Sequence, residues 1–471
     1  MGLKLKFVLS DLHLGAGYAN EGNFLEDFTA DEQLVHFLRE ISHESENDQR
    51  EIELIINGDF FEFLQVPAVD HYDPDTIYPK EAYLDSSEAA SVKRLSLIIK
   101  GHQEVFNALS DFMHVKASQR RITIIKGNHD VNLYWPRVKS RLREALGASG
   151  SRSSLLLFAE KFVSRENIYV EHGHQQAEKL NSYHDHIDPR LPDNPSQLYY
   201  PPGSHFIINF FNQVERERWF VDDVKPLTAL VWFALKWDFN FAARMLASFI
   251  RHTPGLAISN FSPNNNNIIS TDNLLENLED REKCYQISQR YTSDPGFRQQ
   301  FHQQIKQYLE DANVANKSPA TFTSAYIDSD PVEMGRAEQK QQQLSLRTAA
   351  EEIARQEGAK IILFGHTHYP VYETLATDSV YINTGCWLAR QDLSNASPQI
   401  WKELFNGLPK YDKLSGRLPY ARLDYDKHNQ PTAQLLDFAN GNTWLQATDS
   451  QLANFFTKVL NRIATPIKSI W

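Results

Sequence analysis

Short apolar runs recur along the chain, and five of them close on carboxylate, amide or imidazole side chains. The clearest is IILFGHTHYP at 361–370, where four apolar residues lead into Gly365 and then His366 and His368. Such a run, apolar at successive positions rather than alternate ones, predicts a strand covered on both faces. Gly365 lets the chain turn where a side chain would obstruct it. The others are LKFVLSDLH, ending in Asp11 and His13, and IELIINGD, ending in Asp59. ITIIKGNHD ends in Asn128 and His129, and NIYVEHGH ends in His172.

The residues between the early runs change period. DEQLVHFLREISHE at 31–44 carries apolar residues at helical spacing, and so do the segments at about 91–113 and 136–145. Strands at 52–56, 122–125 and 168–170 alternate with these helices, an order that predicts a parallel sheet with right-handed crossovers. The polar stretch 66–88 reads as a loop over the strand ends. In open α/β sheets ligands bind outside the carboxyl ends of the strands, so five strands laid side by side converge their terminal side chains on one crevice. Carboxylate with imidazole suits Mn, Fe or Zn, and a bridging carboxylate with several histidines points to a pair of ions.

After His174 the alternation stops until about Pro331. The intervening segment opens turn-rich and then becomes aromatic, with FIINFFNQVERERWF and PLTALVWFALKWDFNFAARMLASFI. A membrane-crossing helix needs roughly 20 mostly apolar residues, and Lys225, Lys236, Asp238 and Arg244 interrupt this run. A buried helical hairpin is the expectation, with peripheral membrane contact through 206–250 or a lid over acyl chains as the alternative. The asparagine run 264–267 reads as a solvent loop, 272–313 as two polar amphipathic helices, and 331–357 as a long exposed helix stopped by Gly358. Beyond Trp387 an irregular stretch to about 419 precedes two strands joined by a turn, expected at the edge of the second sheet. The tail at 452–463 has helical spacing. The expected units are a core in two parts, 1–175 and 351–471, around a helical cap at 176–350.

At 471 residues the chain exceeds one average domain. Its net charge of -12 argues against nucleic acid as the main partner, because phosphate-backbone binding needs a basic footprint. Two cysteines, Cys284 and Cys386, cannot build a disulfide framework and fit a reducing compartment. The first run starts within a few residues of Met1, so no signal peptide is expected, and a cytoplasmic location follows.

The ordered series Asp-x-His, Gly-Asp, Gly-Asn-His-Asp, His-Gly-His and Gly-His-x-His resembles the calcineurin-like metallophosphoesterase superfamily. Its motifs fall within 7–175 and 355–390. The resemblance implies an α/β (α+β) four-layer αββα sandwich with a large, mainly helical insertion. It implies two divalent ions, with Mn the first expectation and Fe or Zn the alternatives. Asp11, His13, Asp59 and His368 would hold one ion, and Asp59, Asn128, His172 and His366 the other. His129 would face the phosphate, Asp130 would orient its imidazole, and Glu62 and His174 would support the ligands from behind. The implied reaction is in-line attack on phosphorus by a hydroxide shared between the ions.

The substrate class would be a phosphoester or pyrophosphate. SDLHLG, GDFFEF, FGHTHYP and INTGCW look most like the UDP-2,3-diacylglucosamine pyrophosphatase branch. A general phosphodiesterase or phosphatase on nucleotides or phosphoproteins is the alternative, then a nuclease, and last a scaffold without catalysis. His102, His114, His184, His186, His205 and His252 have no motif around them and are expected to be structural or surface residues.

Overall fold

The structure is a computed structural model. It describes residues 4–17, 22–44, 50–115, 119–164, 166–177, 179–225, 227–252, 271–313, 331–389, 391–393, 395–406, 416–426, 428 and 430–445. Among the described residues twelve strands form two large sheets. In chain order they are β1 (Lys4–Leu9), β2 (Glu51–Asn57), β3 (Arg120–Ile125), β4 (Leu156–Ala159), β5 (Phe162–Val163), β6 (Ile168–Val170), β7 (Ile361–Phe364), β8 (Pro370–Thr374), β9 (Val380–Thr384), β10 (Pro419–Tyr425), β11 (Pro431–Asp437) and β12 (Thr443–Trp444). The seven-stranded sheet runs β12-β11-β10-β1-β2-β3-β4, and the five-stranded sheet runs β8-β9-β7-β6-β5. Strands β1 to β4 are mutually parallel, and so are β6, β7 and β9, with antiparallel strands added at the edges.

The apolar runs are strands because both of their faces are covered. Val8, Ile55, Ile125 and Leu423 of the first sheet share one cluster with Val170, Leu363 and Ile382 of the second. On the other face of the first sheet Phe7, Leu54 and Ile124 pack with Leu38, Ile98 and Phe106. Those three come from helices Asp31–His43, Glu88–Gly101 and Gln103–His114. On the far face of the second sheet Ile362, Phe364 and Tyr381 meet Leu346 and Ala350 of helix Pro331–Glu357. The chain is therefore a mixed α/β protein with helices outside two apposed sheets.

Several expectations are corrected. The five motif strands do not lie side by side: β1, β2 and β3 belong to one sheet, β6 and β7 to the other, and both sets of carboxyl ends face the same crevice. The strands β10 and β11 extend the first sheet beside β1, not the second, because Leu423 pairs with Lys6. The helix expected at 91–113 is two helices broken at His102, whose φ of -120° and ψ of 38° end the first. The break lets Gly101 lie against the backbone of Ala16, where an added Cβ would come within 2.2 Å of the Ala16 carbonyl oxygen. His102 is buried, donates from Nδ1 to Asp31 at 2.7 Å, and lies 3.4 Å from Glu26. Burial disfavours its charge, but these two carboxylates outweigh it and push its pKa up to about 10.

In the insertion three helices occupy the region where two were expected: Thr271–Glu279, Arg281–Ser293 and Pro295–Asn313. Asp280 and Asp294 separate them by capping, accepting from Lys283 N and Phe297 N. Helix Pro398–Phe405 falls in the stretch expected to be irregular. Helix Pro331–Glu357 is not simply exposed; Val332 packs with Trp219 and Trp401 while Leu346 covers the second sheet. The loop 66–88 is irregular apart from Glu81–Leu84, and buried Arg94 pins it by donating to the carbonyls of Val66, Ala82, Tyr83 and Asp85. Helices Leu227–Trp237 and Phe239–His252 form the expected hairpin. Phe210, Trp232, Phe241, Met245 and Phe301 turn inward into one cluster. Among the described residues no helix is long and apolar enough to cross a membrane. The asparagine run 264–267 and the tail at 452–463 lie outside the described residues.

Candidate metal centre

The site is built from loops that leave the strands in a constrained conformation. Asp11, His13, Asp59, His366 and His368 have positive φ, between 48° and 68°, and make up five of the eight such non-glycine residues described. That region costs an L-residue on the order of 1 kcal/mol, so its concentration here needs strong compensation from the surroundings. Backbone pairing supplies part of it. Asp11 N donates to Gly58 O at 3.1 Å, and both Leu12 N and His13 N donate to Asp59 O at 2.9 Å. The backbone N–H of His366 donates to both oxygens of Asp11, and that of His129 donates to Asp59 Oδ1 at 2.8 Å.

Two glycines are required by these approaches. A Cβ on Gly127 would lie 2.1 Å from Asp59 Oδ1. A Cβ on Gly365 would lie 2.5 Å from Ser10 Oγ and 2.6 Å from Asp11 Oδ2. In both places the carboxylate would have to move, and with it the site.

The side chains converge in two groups, linked by a third made of His13, Asp59 and His129. Asp11, His13 and His368 bring ligand atoms within 4.8 Å of one another, and so do Asp59, His172 and His366. Asp59 Oδ2 lies 3.0 Å from His172 Nε2 and 3.7 Å from His13 Nε2, which places it between the groups. Asn128 Oδ1 is 3.2 Å from His172 Nε2. Asp11 Oδ1 is 3.1 Å from His368 Nε2. With ligand bonds of roughly 2.0–2.2 Å, neighbouring ligands of one ion fall about 3–3.5 Å apart, so these separations match the edges of a coordination shell.

Hydrogen bonding sets which ring nitrogen faces inward. Nδ1 of His172 lies 2.9 Å from the Asn57 carbonyl oxygen, and Nδ1 of His13 lies 2.8 Å from Glu62 Oε2. Each acceptor fixes the proton on Nδ1, leaving the Nε2 lone pair aimed at the carboxylates. The Nε2 atoms of His13 and His368 are 3.3 Å apart. Lone pairs facing oxygens and each other at such distances are stabilised only by a proton or a cation. Burial disfavours charge on His172, but Asp59 and Asp11 overcome this and push its pKa up to about 10. Burial alone would raise the Asp59 carboxyl; His172, His129 and His13 outweigh it and hold it well below the usual range. Asp11 goes the other way, raised by burial and by the neighbouring Asp59 charge.

Of the supporting residues, Glu62 does more than expected and Asp130 something different. Glu62 Oε2 lies 2.5 Å from His129 Nδ1 as well as 2.8 Å from His13 Nδ1, so one carboxylate orients both rings. Burial would raise Glu62; the two histidines outweigh it and lower it. Asp130 does not contact the His129 ring through a hydrogen bond. Its carboxylate accepts from Gly127 N at 2.6 Å and Phe60 N at 2.9 Å, fixing the backbone of the Gly-Asn-His-Asp turn. Burial and the Asp59 charge raise its pKa to about 7.

His174 is buried beside the site, 5.3 Å from the His172 ring and 6.2 Å from the His366 ring. Burial and the adjacent His186, His172 and His366 hold its pKa well below the ordinary value. Trp387 is buried behind Asp11, its backbone nitrogen donating to the Asp11 carbonyl oxygen at 3.4 Å and its indole nitrogen to the Pro419 carbonyl oxygen at 2.8 Å, and Cys386 is buried beside it.

Sequence reasoning missed Asn383, which donates to Gly365 O at 2.7 Å and Thr367 Oγ1 at 3.1 Å and so shapes the His366–His368 loop. Its position at the end of β9, in the same place the motif strands carry their donors, was the available signal. Asp27, Glu215 and Asp222 form a separate buried carboxylate group, with Gln65 Nε2 3.1 Å from Glu215 Oε2. These residues are far apart in the sequence and share no motif. No known family model matches the chain, and no curated protein sequence matches it either.

Proposed function

We propose that the chain is a dinuclear-metal-dependent phosphoester hydrolase of the calcineurin-like metallophosphoesterase type, with the layered core read as an αββα sandwich. The observation that carries this reading is the inward aim of the imidazole Nε2 atoms, set against Asp11, Asp59 and one another at 3.0–3.7 Å. The donor set of carboxylate, amide and imidazole fits two divalent ions of the Mn, Fe or Zn kind. Asp11, His13, Asp59 and His368 would hold one, and Asp59, Asn128, His172 and His366 the other. Bound there, such ions supply charge against a phosphoryl oxygen and acidify water for attack.

The remaining work falls to the chain's own groups. His129 is partly exposed at the mouth of the site, with 14% of its side chain accessible, while Asp11, His13, Asp59, Asn128 and His172 are almost wholly buried. Glu62 engages its Nδ1, which leaves Nε2 as the nitrogen available to a phosphoryl or leaving oxygen as charge develops there. Asp130 keeps the turn that carries Asn128 and His129 in register with Asp59. The strained φ values at the ligands favour an enzyme over a scaffold, since strain is retained where geometry matters to chemistry.

The experiment is turnover of bis(p-nitrophenyl) phosphate by purified protein with Mn²⁺, alongside phosphorus NMR with UDP-2,3-diacylglucosamine. Metal-dependent turnover is expected, and UMP formation would assign the lipid pyrophosphate. Absence of any metal-dependent hydrolysis with either substrate would sink the reading.

A further inference from the structure

Two of the four protein ligands proposed for the second ion, Asn128 and His172, come from different sheets. Asn128 follows β3 of the seven-stranded sheet, and His172 follows β6 of the five-stranded one. We propose that Gln175 and Tyr183 form a strap that positions this pair, so that the first loop of the insertion sets the affinity for the second ion. The proposal rests on the two-ion reading above.

The strap is continuous. Gln175 sits on the one-turn helix His174–Ala177, which follows His172 after Gly173 alone and closes its turn by bonds from Gln176 N and Ala177 N to Gly173 O. Its side-chain amide grips the Tyr183 backbone on both sides: Oε1 accepts from Tyr183 N at 2.7 Å, and Nε2 donates to Tyr183 O at 3.1 Å. The Tyr183 hydroxyl then reaches across to donate to the Asn128 carbonyl oxygen at 2.9 Å. Tyr183 is 5% exposed, its ring packed with Leu64, Val131, Tyr200 and Ile208. A second tether lies alongside, from Lys126 Nζ to the His186 carbonyl oxygen at 2.7 Å.

The consequence is chemical. A neutral amide oxygen is a weak ligand compared with carboxylate or imidazole, so Asn128 depends on being presented correctly. The bond to its carbonyl fixes the peptide plane from which that side chain projects, and the Gln175 clamp ties the same tyrosine to the His172 loop. The facing atoms, His172 Nε2 and Asn128 Oδ1, are then held 3.2 Å apart. His13, on the other ion, takes its orientation from Glu62 within the core. The strap therefore bears on the second ion, through Asn128 and His172. Gln175 and Tyr183 are positioning residues, acting through the ligands.

The test is calorimetric titration of the full-length protein with Mn²⁺, with electron paramagnetic resonance reading the coupled Mn pair. The variants are Tyr183→Phe, which keeps the ring and its packing and removes only the hydroxyl, Gln175→Met, and the double variant. Supporting partners behind metal ligands typically contribute about 10–100-fold in affinity. Each single variant is expected to weaken the second ion by about that factor, leave the first unchanged and lose the coupled signal at limiting metal. The double variant should be no weaker than the worse single one, because the two residues act as one device. Two ions bound by every variant with wild-type affinity would overturn the strap alone. Equal weakening of both ions would also overturn it, by showing general loosening. Wild-type protein that takes up fewer than two ions would overturn the two-ion reading beneath it.

Discussion

The candidate metal centre and the core of the insertion bury their side chains for opposite reasons. At the centre, Asp11, Asp59, His172 and Asn128 are almost fully buried although each is polar. They are kept there by backbone donors, by one another's charge and by left-handed backbone turns. The insertion buries Phe210, Trp232, Phe241 and Phe301, which need only area removed from water and adequate packing. The first arrangement tolerates almost no change of residue type. The second tolerates many, provided volume and patterning are kept.

The largest expected effect tests that contrast at its centre. Asp59→Ala removes the carboxylate between the two groups and should lower metal-dependent turnover by more than about 10⁴-fold, with loss of bound ions by elemental analysis. Retained ions and activity would mean that Asp59 is an ordinary buried acid. His129→Ala should lower turnover by about 10²–10⁴-fold while keeping both ions, since each proposed ligand set is complete without its ring. Metal loss in that variant would reassign the ring.

In the insertion, Phe241→Ala leaves a cavity at a position that is 1% exposed and should cost about 3–5 kcal/mol of stability. Thermal unfolding should reveal this, while Mn²⁺ uptake at the centre stays at two ions. Loss of the ions with the packing would erase the distinction drawn between the regions.

The smallest effect is a proton count. Because the neighbouring carboxylates push His172 up to about 10, its ring carries a proton below that pH, and a metal ligand must give it up. Binding of Mn²⁺ should therefore release about one proton and tighten as pH rises toward that value. Titrations in buffers of different ionisation enthalpy would expose the release. Identical heats across buffers would show that the imidazole is already neutral.

Much of the site was legible because strand ends follow a local rule. An apolar run covered on both faces needs no knowledge of its partner strand, and the donors that follow it are adjacent in sequence. Asp11, His13, Asp59, Asn128, His129, His172, His366 and His368 were all identified this way, and the structure gathers them, while the division into ligands and His129 came from the family resemblance. Glu62 was recognised only as a supporting residue; that it serves His13 and His129 together depends on two loops meeting. Asp130 was misread for a related reason. Adjacency to His129 suggested a side-chain partnership, whereas the turn directs its carboxylate at the N–H groups of Gly127 and Phe60.

The sequence by itself determined the strand ends, the kind of donor each carries and the break in rhythm that marks the insertion, because these depend on period and residue type over a few positions. Only the tertiary structure decided which sheet each strand joins. It also placed β10 and β11 beside β1, broke the helix at His102 and carried Tyr183 from the insertion to the Asn128 carbonyl. Those outcomes rest on pairings between residues distant in the chain. Their free energies depend on which surfaces meet, and no local pattern encodes that.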